Sequence, residues 1–195
     1  TLESRGLGDV YKRQIYDGSG SKPYVGSLAI KDDKIIYVGE STDFQADTVI
    51  DATDLAVSPG FINMLSWGYN SLMDDGRALS DLKQGVTLEI FGEGTSPGPY
   101  WKDGKFTSFG EAMTMLEEKG VSVNIGSFLG AATTRILEVG YKNRQATPSE
   151  MERMRGHVEN SMKEGAMGIG SSLIYAPGDY LSLIHISEPT RLESI

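Results

Sequence analysis

The sequence predicts an α/β protein: the N-terminal part of a small β-sandwich-like unit, followed by roughly the first half of a (β/α)8 TIM-type barrel. Three observations carry this. Short β-prone segments and tight turns fill the chain up to Val57. Pro59-Gly60 then makes a turn signal. Beyond it, apolar runs of strand length alternate with segments of helical periodicity, the pattern of a parallel sheet covered by helices.

In the first unit, Ile15-Tyr16-Asp17-Gly18 reads as a strand end and turn. Val25 to Ile30 and Lys34 to Val38 form a hairpin around the turn-prone Asp32-Asp33. Thr48 to Asp51 and Leu55 to Val57 are further short strands. In the second unit, Phe61 to Leu65 is a buried strand and Gly68 to Gln84 a helix stopped by Gly85. Thr87 to Phe91 is the second strand. Ser108 and Glu111 make a capping box for a helix ending at Lys119-Gly120, and Val121 to Phe128 is the third strand. Thr147, Pro148 and Glu150 open a helix carrying Met151, Met154, Val158 and Met162 at helical spacing, a core stripe. Ala166 to Ser171 is the fourth strand. Half a barrel leaves two unpaired edges and an uncovered core, so the pattern predicts a piece of a larger fold.

The chain ends support the same expectation. Codons can be chosen for residues 1–14 that, reversed and complemented, encode residues 181–194 without a break, from Gln14 with Leu181 to Thr1 with Ser194. The two stretches look like the strands of a transposon-type sequencing adapter and are set aside as artefact. That leaves residues 15–58 as an incomplete β-unit and residues 59–180 as a partial barrel.

Composition excludes several functions. The net charge of -9 and the lack of a basic run argue against nucleic-acid binding. No apolar stretch is long enough for a membrane span. Without cysteine there is no disulfide framework and no thiol chemistry. The cytoplasm is favoured and the periplasm stays open; the oligomeric state is not readable. Gly92-Glu93-Gly94 lacks the Lys-Ser/Thr of a phosphate loop, and Gly168-Ile169-Gly170 lacks the third glycine of a dinucleotide site.

Chemistry in βα arrays sits at the C-terminal strand ends. Glu93 follows the second strand, and Ser171 and Ser172 end the fourth. No base is visible to activate either serine, which suits hydrogen bonding better than attack. His157 lies inside the Thr147-capped helix and reads as a surface residue.

Several segments together resemble the amidohydrolase superfamily, in its N-acyl-D-amino-acid deacylase (D-aminoacylase) branch. They are Ile15-Tyr16-Asp17-Gly18-Ser19-Gly20, Ile50-Asp51-Ala52, Val57-Ser58-Pro59-Gly60-Phe61-Ile62, Gln84-Gly85-Val86-Thr87 and Leu173-Ile174-Tyr175-Ala176-Pro177-Gly178-Asp179-Tyr180. The resemblance implies a hydrolase of amide bonds in N-acyl-D-amino acids or similar small molecules, using zinc or another divalent metal. Such a metal polarises a carbonyl and acidifies a bound water. The resemblance also marks departures. Leu65 and Trp67 occupy the places of the family's first histidine pair, Asn63 that of an aspartate, and Ala131 that of a later histidine. Glu93 is the remaining metal-ligand candidate; Ser171, Ser172 and Tyr175 are candidate substrate contacts. The catalytic residues are expected downstream of Tyr180, with this chain itself inactive. The alternative is a metal-free binding or scaffold protein on the same fold.

Overall fold

Mixed pairing builds the first part of the chain and parallel pairing most of the rest. The computed structural model describes residues 8–40 and 45–181. By internal contacts the chain divides into two units, Thr1–Gly60 and Phe61–Ile195.

In the first unit, β1 (Gly8–Ile15), β2 (Tyr24–Lys31), β3 (Lys34–Gly39) and β4 (Thr48–Asp51) lie in the order β3-β2-β1-β4, and β5 (Ala56–Val57) pairs with β1. The β2–β3 hairpin turns at Asp32, whose φ is 57°. Asp tolerates that left-handed conformation better than most residues. Ser27 and Ala29 are fully buried and Ile15 nearly so. The strand β1 opens at Gly8, inside the stretch set aside as adapter translation. Ladder bonds are made by backbone groups, so β-prone residue types such as Val10-Tyr11 pair whatever their origin.

In the second unit, β6 (Phe61–Asn63) is followed by α1 (Tyr69–Asp74) and α2 (Leu79–Lys83). Then come β7 (Val86–Phe91), the β8–β9 hairpin (Tyr100–Lys102, Lys105–Thr107) and α3 (Phe109–Lys119). The strands β10 (Asn124–Ser127) and β11 (Leu129–Gly130) lead into α4 (Ala131–Glu138) and α5 (Pro148–Lys163), and β12 (Ile169–Gly170) ends the series. Parallel ladders join β6 to β7, β7 to β10 and β11 to β12, so neighbours in the sheet follow chain order. Leu72, Phe91, Leu116 and Val123 form one apolar cluster on the helix side; Phe109, Leu129 and Val158 form another with Met113 and Met162. The methionine stripe of α5 is thus packing material.

Four local features differ from the sequence expectation. The strand expected to be buried over Phe61 to Leu65 runs only over Phe61–Asn63, and Phe61, Ile62 and Leu65 are more than half exposed, because β6 lies at the edge of its sheet and pairs only with β7 among the described residues. The helix expected over 68–84 is broken in two. Asp75 accepts hydrogen bonds from the Arg77 backbone and guanidinium, and Ala78 takes a left-handed φ of 47°. A local side-chain bond of this kind competes with helix continuation. The β8–β9 hairpin was not expected. It turns at Asp103-Gly104, both with positive φ, the Asp-Gly signature of a tight hairpin. The helix α4 was not expected either; it starts at Gly130 without a side-chain cap and holds two threonines.

The sheet ends come close because two glycines let them. A Cβ on Gly130 would lie 2.5 Å from the Gly94 carbonyl, and one on Gly170 would lie 2.2 Å from that of Gly92. No side chain fits there.

The helices α3 and α5 carry complete capping boxes at Ser108/Glu111 and Thr147/Glu150. The guanidinium of Arg144 also grips Glu150, at 2.6 and 2.8 Å. These bonds, and then the Thr147 N–H and hydroxyl, hold the Glu150 carboxyl well below the ordinary carboxylate range. A depressed acid stabilises the fold above its unfolded pKa of about 4.3, and that contribution is lost as pH falls through the folded value. Replacing Arg144 by Met should therefore shrink the drop in melting temperature between about pH 6 and pH 3, read by circular dichroism. An unchanged drop would mean that Arg144 does not set the Glu150 proton affinity.

Candidate functional site

The turn after β6 is tied to its neighbour strand by one residue. The Ser66 N–H donates to the Ile90 carbonyl at 2.9 Å. Its hydroxyl donates to the Glu89 carboxylate at 2.5 Å and accepts from the Gly68 N–H at 3.1 Å. Glu89 is only 2% exposed. The turn has no room for a larger residue than Gly68, since a Cβ there would lie 2.7 Å from Glu89 Oε2. With Ser66 held inward, its sequence neighbours Leu65 and Trp67 are left 55% and 60% exposed.

They line a cleft of about 510 Å3 together with Glu93, Ser172 and Tyr175. Five of the seven residues singled out from the sequence therefore meet in one place. Ala132, Ile136 and Tyr141 supply the facing wall. The Ala132 N–H donates to the Gly94 carbonyl at 2.9 Å, and Thr133 Oγ1 accepts from the Ser96 N–H at 2.8 Å, so α4 is pinned to the loop that carries Glu93. Ser172 is 9% exposed and packs its Cβ against Gly94. Two residues fall outside the cleft lining. Ala131 is the first residue of α4 and is buried, and Ser171 is exposed elsewhere.

The donor set does not fit a metal. Leu65, Trp67 and Ala131 offer no lone pair to a divalent ion. Glu93 is the only carboxylate among the described residues lining the cleft. Among the described residues, no group of three or more His, Cys, Asp or Glu could hold a metal ion. A zinc site needs three or four such donors.

Sequence reasoning missed the residue that shapes the cleft lip. Arg135 of α4 is fully buried. Its Nη2 donates to the carbonyls of Lys142 at 2.7 Å and Arg144 at 2.8 Å. Its guanidinium carbon stands 5.7 Å from the centre of the Tyr180 ring, within cation–π range. One side chain thus joins α4, the loop before α5 and the turn Gly178–Tyr180 that follows the cleft residues Tyr175, Ala176 and Pro177. Its Nε and Nη1 have no partner among the described residues. Burial, then the nearby Arg144 charge, lowers its proton affinity, opposed by Asp179, Glu150 and Tyr180. An arginine in a helix gives no sequence sign of such a role.

His157 is not the surface residue that the sequence suggested. Its ring is mostly buried, bonded through Nε2 to Glu138 at 2.8 Å and stacked on Phe106 at 6.0 Å. Arg153 holds the other Glu138 oxygen. This cluster fastens α4 to α5, away from the cleft lining.

Comparison with known proteins agrees with the resemblance read from the sequence. The chain is 26% identical over 195 residues to the N-acyl-D-aspartate deacylase of Alcaligenes xylosoxydans xylosoxydans, covering 91% of this chain and 39% of that protein. It is 27% identical over 192 residues to the D-aminoacylase of the same organism, covering 91% and 40%. The chain thus spans about two fifths of the length of the curated relatives it matches. No protein-family model matches. In fold it is similar to a D-aminoacylase whose crystal structure defined a novel subset of amidohydrolases, with a TM-score of 0.83 at 23% identity over 93% of this chain and 42% of that one. It is also similar to the N-acyl-D-glutamate deacylase of Bordetella bronchiseptica, solved with zinc and a phosphonate mimic of the tetrahedral intermediate, with a TM-score of 0.80 at 20% identity over 91% and 40%.

Two substitutions test this geometry. Glu89→Ala leaves the buried Ser66 hydroxyl proton without its acceptor and should cost about 1–3 kcal/mol in urea unfolding. It should also shift Trp67 emission, measured in a Trp101→Phe background. Arg135→Met keeps much of the unbranched stem but removes the donors. It should speed proteolytic cutting in the stretch 173–180 by more than its loss of global stability accounts for; cutting that merely tracks global stability would remove Arg135 from this role.

Proposed function

We propose that this chain is the N-terminal part of a hydrolase that cleaves the amide bond of N-acyl-D-amino acids or similar small molecules. The observation that carries this is the meeting of Leu65, Trp67, Glu93, Ser172 and Tyr175 at one cleft, at positions chosen from the family resemblance. The relatives' names supply the substrate class. In this reading β6, β7, β10 with β11, and β12 are the first four strands of a (β/α)8 barrel. The first unit, residues 15–58 by the sequence boundary, is an incomplete β-sandwich-like partner. The exposure of Phe61 and Ile62 on β6, at 59% and 55%, supports a strand that the rest of the barrel covers.

Within the cleft, Trp67 and Leu65 present apolar walls, and Tyr175 and Ser172 bring hydroxyls for the polar parts of a substrate. Ser171 keeps only a neighbouring place on the same strand end. Glu93 is the one acid that the cleft itself supplies. These residues do not fit a zinc site, so any metal ligands and the group that moves the proton belong to parts of the protein beyond Tyr180, and this chain alone is inactive.

A second reading is favoured by the same donor set. Leu65, Trp67 and Ala131 are apolar where ligands are expected, which suits a binding protein that keeps the fold without the metal.

The complete reading frame, expressed beside this chain, decides between them. Stoichiometric zinc by mass spectrometry and turnover of N-acyl-D-aspartate, -glutamate or -methionine by the complete protein alone would support the hydrolase. A folded complete protein with neither metal nor turnover would leave the binding reading.

A further inference from the structure

A second cleft, of about 610 Å3, shares Trp67 with the first but lies against different elements, α1, the β8–β9 hairpin and α3. Its floor is apolar: Met73, Met115 and the buried Phe91. Two phenols stand over this floor. The Tyr69 ring meets Phe91 edge-on at 6.4 Å, and the Tyr100 hydroxyl reaches the Met115 sulfur at 3.9 Å. Burial, then the neighbouring Tyr100, raises the Tyr69 pKa. At the mouth, the exposed Lys102 of β8 forms no ion pair among the described residues. Asp74 of α1 also borders the cleft, so the mouth has one positive point rather than a positive field.

We propose that this cleft binds a straight-chain carboxylate, with its chain over Met73, Phe91 and Met115 and its head group at the Lys102 ammonium. Flexible thioether side chains adapt to an alkyl guest. The Lys102 ammonium, two residues from Tyr100 on the same strand, suits a carboxylate. The volume lies within the range of small-molecule sites, about 300–1,000 Å3. This chemistry has two sources, an N-acyl amino acid or the free acyl carboxylate that amide hydrolysis releases. The inference deepens the proposed function by giving the acyl part a straight alkyl chain, and it rests on that reading only for the choice of the second ligand.

The test uses the full 195-residue chain with Trp101→Phe, so that Trp67 is the sole tryptophan. Octanoate, N-octanoyl-D-methionine and octanol are titrated against its emission. Saturable shifts with a Kd near or below about 1 mM are expected for one or both carboxylates, with octanol at least about tenfold weaker. Octanoate alone would assign the site to released acyl groups, and the N-acyl compound alone would assign it to intact substrate. Lys102→Glu should weaken the carboxylates about tenfold and leave octanol unchanged. Met73→Trp, checked for an unchanged melting curve and read by calorimetry, should weaken all three. If it does not fold, Lys102→Glu, on an exposed hairpin, still decides. Equal binding of octanol and octanoate, no saturation, or carboxylate binding indifferent to Lys102→Glu would overturn the proposal. Binding here without turnover by the complete protein would leave the cleft standing and remove the hydrolase reading.

Discussion

The cleft depends on a buried carboxylate. Glu89 sits on β7 beside Ile90 and Phe91, with 2% of its surface exposed. Burying such a group is costly unless it is hydrogen bonded, and the Ser66 hydroxyl provides that bond at 2.5 Å. The same serine ties its N–H to Ile90, so the turn leaving β6 is fixed to the adjacent strand by side chain and backbone together. A peptide segment anchored at one residue has little choice for its neighbours. Leu65 and Trp67 are displayed because Ser66 is held. The whole arrangement needs Gly68, because a methyl group there would displace the carboxylate.

The parts of this fold that were legible in sequence are those written in local chemistry. Both capping boxes, Pro148 at the start of α5 and the Met154–Val158–Met162 stripe are statements about residues within a few positions of each other, and the structure repeats them. The Asp103-Gly104 hairpin was written in the same language and was overlooked. Other features have no local signature. Helix α4 takes its start from contacts to the distant Gly94 and Ser96, the latter 37 residues before its partner Thr133. The roles of Glu89, Arg135 and His157 exist only once distant segments are brought together. For the candidate site, Leu65, Trp67, Glu93, Ser172 and Tyr175 are far apart in sequence and share one cleft lining only in the fold, while Ala131 and Ser171 lie outside it.

Leu65 and Trp67 give the cleft apolar walls that stay more than half exposed, so its polar groups act in contact with solvent, where charge interactions are weak. With Glu93 as the only acid in the lining, the strand ends described here supply one titratable group where acid–base chemistry ordinarily uses two with separated proton affinities.

Trp67 is a surface that the two clefts have in common, and their charges differ. The lining of the first carries one carboxylate, Glu93, while that of the second holds the Lys102 ammonium and the Asp74 carboxylate. An anion entering the first meets repulsion, and one entering the second meets a single attractive point offset by a repulsive one. Such a point orients a bound anion rather than gathering anions from a distance, and salt weakens it because Lys102 is exposed to solvent.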